Sequence, residues 1–168
     1  MLTAAWRVGR LVELRLAGSP TLEDAARFEI DSRGTVAACV AKTKKPTVVC
    51  TDLRTTQLWR PEVTERLVSI MRHENIHVER NGLLGNGSAL VGLQVTRLIT
   101  KASGGARRRV FSQPEPLLLW LDELLTEPER KRVREFLGEV DAYGVRTTAL
   151  GLPFSPQGGL AGRSLRDK

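Results

Sequence analysis

Long apolar runs are missing from this sequence of 168 residues, and cysteines and aromatic side chains are scarce. No apolar stretch approaches the roughly 18–20 residues that a membrane-spanning helix needs. The first residues also lack the apolar block of a signal peptide. We therefore expect a soluble, cytoplasmic protein that makes no membrane contact, with a length that suits one domain better than two.

Only two cysteines are present, Cys39 and Cys50, and both stand in apolar surroundings without the spacing of a metal site. Neither has a neighbouring base in the sequence that would activate a thiolate. We interpret them as buried thiols of a protein from a reducing compartment, with a disulfide between them as the alternative.

Aromatic residues make up 5% of the chain, whereas the formal net charge is +7. The charge permits weak attraction to polyanions. A surface that stacks nucleic-acid bases needs aromatic side chains interleaved with basic ones, and the basic clusters at 42–45, 107–109 and 130–134 have none. We expect no specific nucleic-acid binding. Fingerprints of phosphate-binding loops, dinucleotide folds and nucleophile elbows are also missing, so we expect no cofactor.

Strand and helix patterns alternate along the chain. We expect strands near residues 8–16, 47–51, 78–84 and 109–111, and helices that begin near Thr21, Pro61, Ser88, Ser112 and Thr126. This alternation predicts an α/β fold with a small, mostly parallel (mixed) sheet of four to five strands flanked by helices. We expect the domain to cover residues 1–144 and the Gly- and Pro-rich residues 145–168 to form a flexible tail.

The first strand shows a clear alternation and is either single or a hairpin bent around Gly9. Its even positions, including Val12 and Leu14, form the apolar face, and Glu13 and Arg15 form the face expected to meet water.

The spacing of apolar, capping and glycine residues also predicts helix faces and caps. Leu22, Ala26 and Ile30 recur every four residues and predict the buried face of the first helix, with Gly34 as a candidate bend. Gly104-Gly105 is the expected left-handed stop of the third helix. Two capping boxes are expected at the last two helices, Ser112…Glu115 and Thr126…Glu129.

The string His73-Glu74-Asn75-Ile76-His77 matches the zinc-hydrolase pattern H-E-x-x-H. On one continuous helix, His73 and His77 would hold zinc while Glu74 polarised the bound water. A carboxylate such as Glu115 or Asp122 would have to be the third ligand, since the chain has no other histidine. A helix that ends near Asn75, with His77 entering a strand, explains the same residues without a metal.

Three candidate binding features lie at the end of the central strand, in the loop that follows it and in the turn after the next strand. Asp52 stands where α/β folds place ligands, or it accepts backbone amides in the turn. Trp59 either packs under the following loop or contacts a partner. Gly85-Asn86-Gly87-Ser88 either holds an anion at a helix start or is a glycine turn with a serine cap.

The run Pro46-Thr-Val-Val-Cys-Thr-Asp52-Leu-Arg54, followed by Trp59-Arg60-Pro61-Glu62, resembles the STAS-type domains, particularly their SpoIIAA-like branch. The later Arg109-Val-Phe111 and Trp120-Leu121 resemble that branch's closing strand and helix, so the likeness covers about residues 6–137. The resemblance implies a small mixed sheet flanked by helices and a role in binding or regulation.

In anti-sigma factor antagonists of this type, a serine at the start of the helix after the central strand is phosphorylated, which blocks docking on a kinase-type partner. Here the matching stretch, Leu58 to Glu62, has no serine, and the role does not transfer to Thr55 or Thr56. Glu62 would at most mimic a constant negative charge. The resemblance therefore implies a docking surface without the usual phosphoserine switch.

We expect a non-catalytic protein-interaction module in bacterial signalling or scaffolding, with a zinc-dependent hydrolase as the alternative. The expected partner is a protein such as a kinase or regulatory protein, and a homodimer is left open. The expected contact residues are Asp52, Arg54, Thr55, Trp59, Arg60 and Glu62. The tail from Leu160 to Arg166 is similar to the short terminal peptides that load cargo into encapsulin shells.

Overall fold

The computed structural model describes residues 1–103 and 105–142 and shows a five-stranded sheet in the order β1-β2-β3-β4-β5. The strands are β1 Leu2–Val8, β2 Leu11–Leu16, β3 Thr47–Asp52, β4 Val78–Leu84 and β5 Arg108–Phe111. β1 runs antiparallel to β2, and the other neighbouring pairs are parallel. The predicted mixed α/β sheet is confirmed, and the first strand is a hairpin whose arm β1 extends almost to the first residue.

Five α-helices connect and cover the strands. They are α1 Leu22–Thr43, α2 Pro61–Glu74, α3 Ala89–Lys101, α4 Pro114–Asp122 and α5 Glu127–Ala142, with a short 3₁₀ helix at Gly105–Arg107. Because parallel strands follow one another across the sheet through right-handed crossovers, α1, α2 and α3 all lie on one face. The opposite face is covered by α4 and α5, so each face has its own apolar core.

The turn of the β1–β2 hairpin is fixed by Gly9 and by the start of α5. Gly9 has a φ of +52°, and a Cβ atom there would lie 2.1 Å from Glu129 Oε1. Only glycine therefore allows the buried Glu129 carboxylate to sit against the turn, where it accepts the backbone N–H of Arg10.

The face of β2 that was expected to meet water is covered by α5, so that prediction is wrong. Glu13 is only 3% exposed and forms an ion pair with Arg132 of α5. Arg15 pairs with Glu139 of the same helix and stacks over the Phe136 ring at 4.5 Å. Charged residues in a strand usually indicate solvent, but here another helix supplies their partners.

The buried face of α1 also differs from the prediction, because polar side chains take part in it. Its buried positions are Ala25, Phe28, Glu29, Ser32, Val36 and Cys39, whereas Leu22 and Ile30 are exposed. The Glu29 carboxylate pairs with Arg33 and with Arg66 of α2. The helix runs through Gly34 without interruption.

Caps and boundaries agree with the prediction in part. Ser88 caps α3 as expected, whereas the positive φ after that helix belongs to Ser103. The cap of α4 is Gln113 and not Ser112, because Pro114 occupies the first helical position. The predicted boundary at 144, the tail 145–168 and the encapsulin-like segment lie outside the described residues, as does Gly104.

None of the helices formed by the described residues is long and apolar enough to span a membrane.

Candidate docking surface

The carboxyl ends of β2, β3 and β4 meet at one edge of the sheet, where α/β folds commonly place binding residues. At this edge, hydrogen bonds to the residues that follow β2 and β4 hold the loop between β3 and α2. Gly18, after β2, donates its N–H to Thr55 O at 2.9 Å and accepts the N–H of Gln57 at 2.9 Å. Asn86, after β4, donates from its side chain to Thr56 O at 3.0 Å.

Asp52 supports this loop from beneath. Its side chain is 1% exposed, and it accepts the backbone N–H of Arg54 at 3.1 Å and the Arg54 guanidinium at 3.0 and 3.1 Å. Arg15 of β2 approaches the same carboxylate at 3.4 Å. Asp52 therefore joins β2, β3 and the loop, as the turn interpretation predicts, and its burial does not allow it to contact a partner directly.

Trp59 is the second internal support, and the prediction of packing under the loop is confirmed. Its residue is 7% exposed, and its indole N–H donates to Thr56 Oγ1 at 2.9 Å. Gln94 of α3 bonds to both backbone groups of Trp59, accepting its N–H at 3.1 Å and donating to its O at 2.8 Å. The loop is thereby joined to α3, and the expected direct contact through Trp59 is corrected to a supporting role.

The remaining predicted contact residues do reach the surface. Thr55, Arg60 and Glu62 are exposed, and Arg54 is half-buried. These four residues, together with Leu58, form what we call the docking surface. It consists of an exposed loop and the first turn of α2 on a support that the protein interior holds in place.

A groove of about 420 Å³ between α2 and α3 adjoins the docking surface. Three leucines on its walls are unusually exposed for large apolar side chains: Leu58 at 50%, Leu90 at 64% and Leu93 at 49%. Arg97 and Lys101 of α3 continue the wall, where Lys101 pairs with Glu65. The sequence carries a signal for this groove, because Leu90 and Leu93 fall outside the buried stripe of α3.

The two histidines do not share a helix, which the zinc alternative requires. α2 ends at Glu74, and His77 lies just before β4, where its carbonyl accepts the N–H of Thr47 at 2.8 Å. Glu74 is buried and accepts the Ser32 hydroxyl, and its burial raises its pKa. Among residues 1–103 and 105–142, no three His, Cys, Asp or Glu side chains converge as metal ligands.

The carboxylates suggested as a third ligand belong to α4, which covers the opposite face of the sheet from α2. Asp122 there forms an ion pair with Arg134. The sheet therefore separates these carboxylates from His73 and His77.

Both cysteines are buried and free, so the disulfide alternative is wrong. Burial raises the pKa of the Cys39 and Cys50 thiols. A thiol that stays protonated is a poor nucleophile, so neither residue is suited to covalent catalysis.

The turn after β4 has the geometry of a glycine turn with a serine cap. Ser88 Oγ accepts the N–H of Val91 at 3.4 Å, and Asn86 Oδ1 accepts the N–H of Ser88 at 2.9 Å. Gly87 supplies a φ of +78°. A cavity of about 270 Å³ beside it is lined mostly by apolar groups of Leu53, Val91 and Phe111.

Comparison with known proteins identifies the fold. No family model matches the chain, and no curated protein is detectably similar to it in sequence. Among solved structures, an uncharacterized protein of the DUF3478 family from Shewanella loihica PV-4, with a SpoIIAA-like fold, matches with a TM-score of 0.52 and 16% identity. The match covers 72% of this chain and 95% of that one. The chain therefore has a SpoIIAA-like fold, which confirms the resemblance to STAS-type domains at the level of fold.

Proposed function

We propose that this chain is a non-catalytic interaction module of bacterial signalling or scaffolding, which docks a protein partner through the docking surface. The observation that carries the proposal is the exposure of Leu58, Leu90 and Leu93 beside a loop that is fixed from beneath. Adjacent large apolar side chains at a surface are typical of protein contacts. A surface held in its binding conformation also loses less entropy when a partner docks.

The charges around the leucines indicate the chemistry of the partner. Arg97 lines the groove, and the exposed Arg60 stands in the chain between two lining residues, Trp59 and Pro61. Within the part of the chain that the structure describes, neither arginine side chain forms an ion pair. A segment with apolar side chains flanked by carboxylates would complement both features. An acidic amphipathic helix is the element that most simply presents such a pattern to a groove.

The first turn of α2 supports docking without a phosphoserine switch. Arg60 is its N-cap residue and Pro61 its first helical residue, so neither of these two positions offers a hydroxyl for modification. Glu62 supplies a fixed negative charge in the first turn.

Site-specific photo-crosslinking in the native host tests the proposal. A photoreactive residue replaces Leu58 in one variant and Glu62 in another, and it replaces Ile30 in a matched control. Ile30 is also exposed, at 73%, but lies on α1. We expect both surface variants to crosslink one and the same protein, different from this chain, and we expect the Ile30 variant not to crosslink it.

The crosslinked protein is then purified and titrated against this chain. We expect Arg60→Glu to weaken that binding at least about tenfold, as the loss of one buried charge contact would. Equal crosslinking at Ile30 and Leu58, or binding that Arg60→Glu leaves unchanged, would contradict the proposal.

A further inference from the structure

We propose that the groove between α2 and α3 receives α4 of a second copy of this chain in a head-to-tail contact. This inference rests on the proposed interaction role, because it names a partner for the groove beside the docking surface. The acidic and apolar pattern that the groove calls for is present in this chain itself, on the outer face of α4.

The outer face of α4 carries Glu115 and Leu119, and Glu123 follows as the C-cap residue with helical backbone angles. The three residues are spaced four apart and therefore lie on one side of the helix. We call these three residues the α4 ridge. Leu119 is 72% exposed, although its neighbours Leu117 and Leu121 are fully buried. Glu115 is exposed, and the Glu123 side chain remains 62% exposed even though it pairs with Arg80 at 2.8 Å.

The spacing between charged and apolar side chains on the α4 ridge matches the spacing on α3. Each ridge carboxylate lies four residues from Leu119, which corresponds to about 6 Å along the helix axis. Arg97 lies four residues after Leu93 on α3, and the exposed Arg60 lies two residues after Leu58 in the loop. With Leu119 placed among Leu58, Leu90 and Leu93, we expect one ridge carboxylate to meet Arg97 and the other to meet Arg60.

No other exposed large apolar side chain in the described residues has this pattern. Those outside the groove are Met1, Leu22, Ile30, Ile76 and Leu119. Ile30 has Ala26 and Gly34 four residues away, and Ile76 has Arg72 and Arg80. Leu119 alone among these five has a carboxylate four residues before it and four residues after it, and this complementarity favours a second copy as the occupant.

The two contact elements lie on opposite faces of the sheet, since α3 belongs to one core and α4 to the other. Each copy therefore offers one groove and one ridge, so the contact is heterologous and produces rings or open chains. A single helix in a groove falls at the small end of protein interfaces. We expect weak association that depends on protein concentration and on salt.

Sedimentation velocity over a range of concentrations tests the inference with matched variants. Leu93→Gln removes an apolar group from the groove, Leu119→Gln removes one from the ridge, and Ile30→Gln is a control at an exposed site on α1. We expect the wild type and the control to associate, and each leucine variant alone to associate at least about tenfold more weakly.

Mixing the two variants gives the sharpest result. Leu93→Gln keeps an intact ridge and Leu119→Gln an intact groove, so the mixture should form one-to-one dimers that grow no further. A wild type that stays monomeric at every concentration would overturn the inference, as would association that Leu119→Gln leaves unchanged. Neither result would affect the proposed function, which depends on crosslinking of a different protein at Leu58 and Glu62.

Discussion

Replacing Arg132 by methionine should remove a substantial part of the protein's stability, because Arg132 compensates a buried charge. Its guanidinium donates to Glu13 Oε1 and Oε2, each at 2.6 Å, and also to Glu139 at 2.9 Å. Glu13 lies in β2 under α5 and is 3% exposed. Arg132→Met keeps most of the side-chain volume but leaves this carboxylate without its main partner.

The magnitude follows from the burial of Glu13. Removing one partner of a buried ion pair costs about 3–5 kcal/mol. Glu13 retains a contact with Arg7 at 3.7 Å, but the Arg7 side chain is 63% exposed and so contributes little. We therefore expect Arg132→Met to lower the free energy of unfolding by about 3 kcal/mol, out of the roughly 5–15 kcal/mol usual for a domain.

Urea denaturation followed by tryptophan fluorescence measures this change. The double variant Glu13→Leu, Arg132→Met removes both charges, and we expect it to recover more than half of the lost stability. Arg27→Met, which breaks the exposed pair between Arg27 and Glu23, is the control and should cost no more than about 0.5 kcal/mol. A loss below about 1 kcal/mol for Arg132→Met, or a double variant as unstable as the sum of the single ones, would refute the reasoning.

Three further predictions concern pH, metal binding and the hairpin turn. Burial raises the pKa of Glu74 above its usual 4.5, so its carboxyl stabilises the fold at acidic pH and loses that contribution as pH rises through the raised pKa. The gain in unfolding free energy from Glu74→Gln should therefore grow between pH 4 and pH 8; a constant difference would contradict this. Elemental analysis should find no stoichiometric zinc, and about one zinc per chain that His77→Ala removes would restore the hydrolase alternative. Gly9→Ala should cost at least about 1 kcal/mol more than Gly87→Ala, because both have positive φ but only Gly9 faces Glu129, and equal melting temperatures would argue against that contact.

The sheet could be predicted because the short apolar runs of β3 and β4 are bounded by turn residues and helix starts. Pro61 marks the first residue of α2, and Ser88 caps α3, as their local chemistry predicts. These signals depend on a few neighbouring residues. The α/β order could therefore be predicted before any distant contact was known.

The second face of the sheet could not be predicted in the same way. Glu13 and Arg15 have the pattern of a solvent-facing strand, and their partners in α5 lie more than 115 residues later. A charged position is compatible with burial only when another element supplies the opposite charge, and one sequence does not pair such distant residues. For the same reason, the buried side of α1 could not be predicted, since Glu29 there pairs with Arg66 of α2.

The sequence was enough to name the loop after the central strand as the candidate site, but not to tell which of its residues reach the surface. Asp52 and Trp59 mark the loop after the central strand, yet both lie beneath it and fix its shape. The exposed apolar groups come from Leu58 in the loop and from Leu90 on a helix that begins 37 residues after Asp52. Only the folded chain brings them together, through the hydrogen bonds of Gln94 to Trp59.

Leu58 belongs both to the docking surface and to the groove, so self-association and partner docking should compete for it. If α4 of a second copy occupies the groove, raising the concentration of this protein lowers the fraction of chains whose Leu58 is free for another protein. Crosslinking of the partner through a photoreactive residue at Glu62, measured per chain, should then fall as the concentration of the wild type rises. Leu119→Gln should abolish that fall, because it removes the ridge while leaving every docking surface intact. If crosslinking at Glu62 fell equally for the wild type and for Leu119→Gln, the two contacts would not share a site.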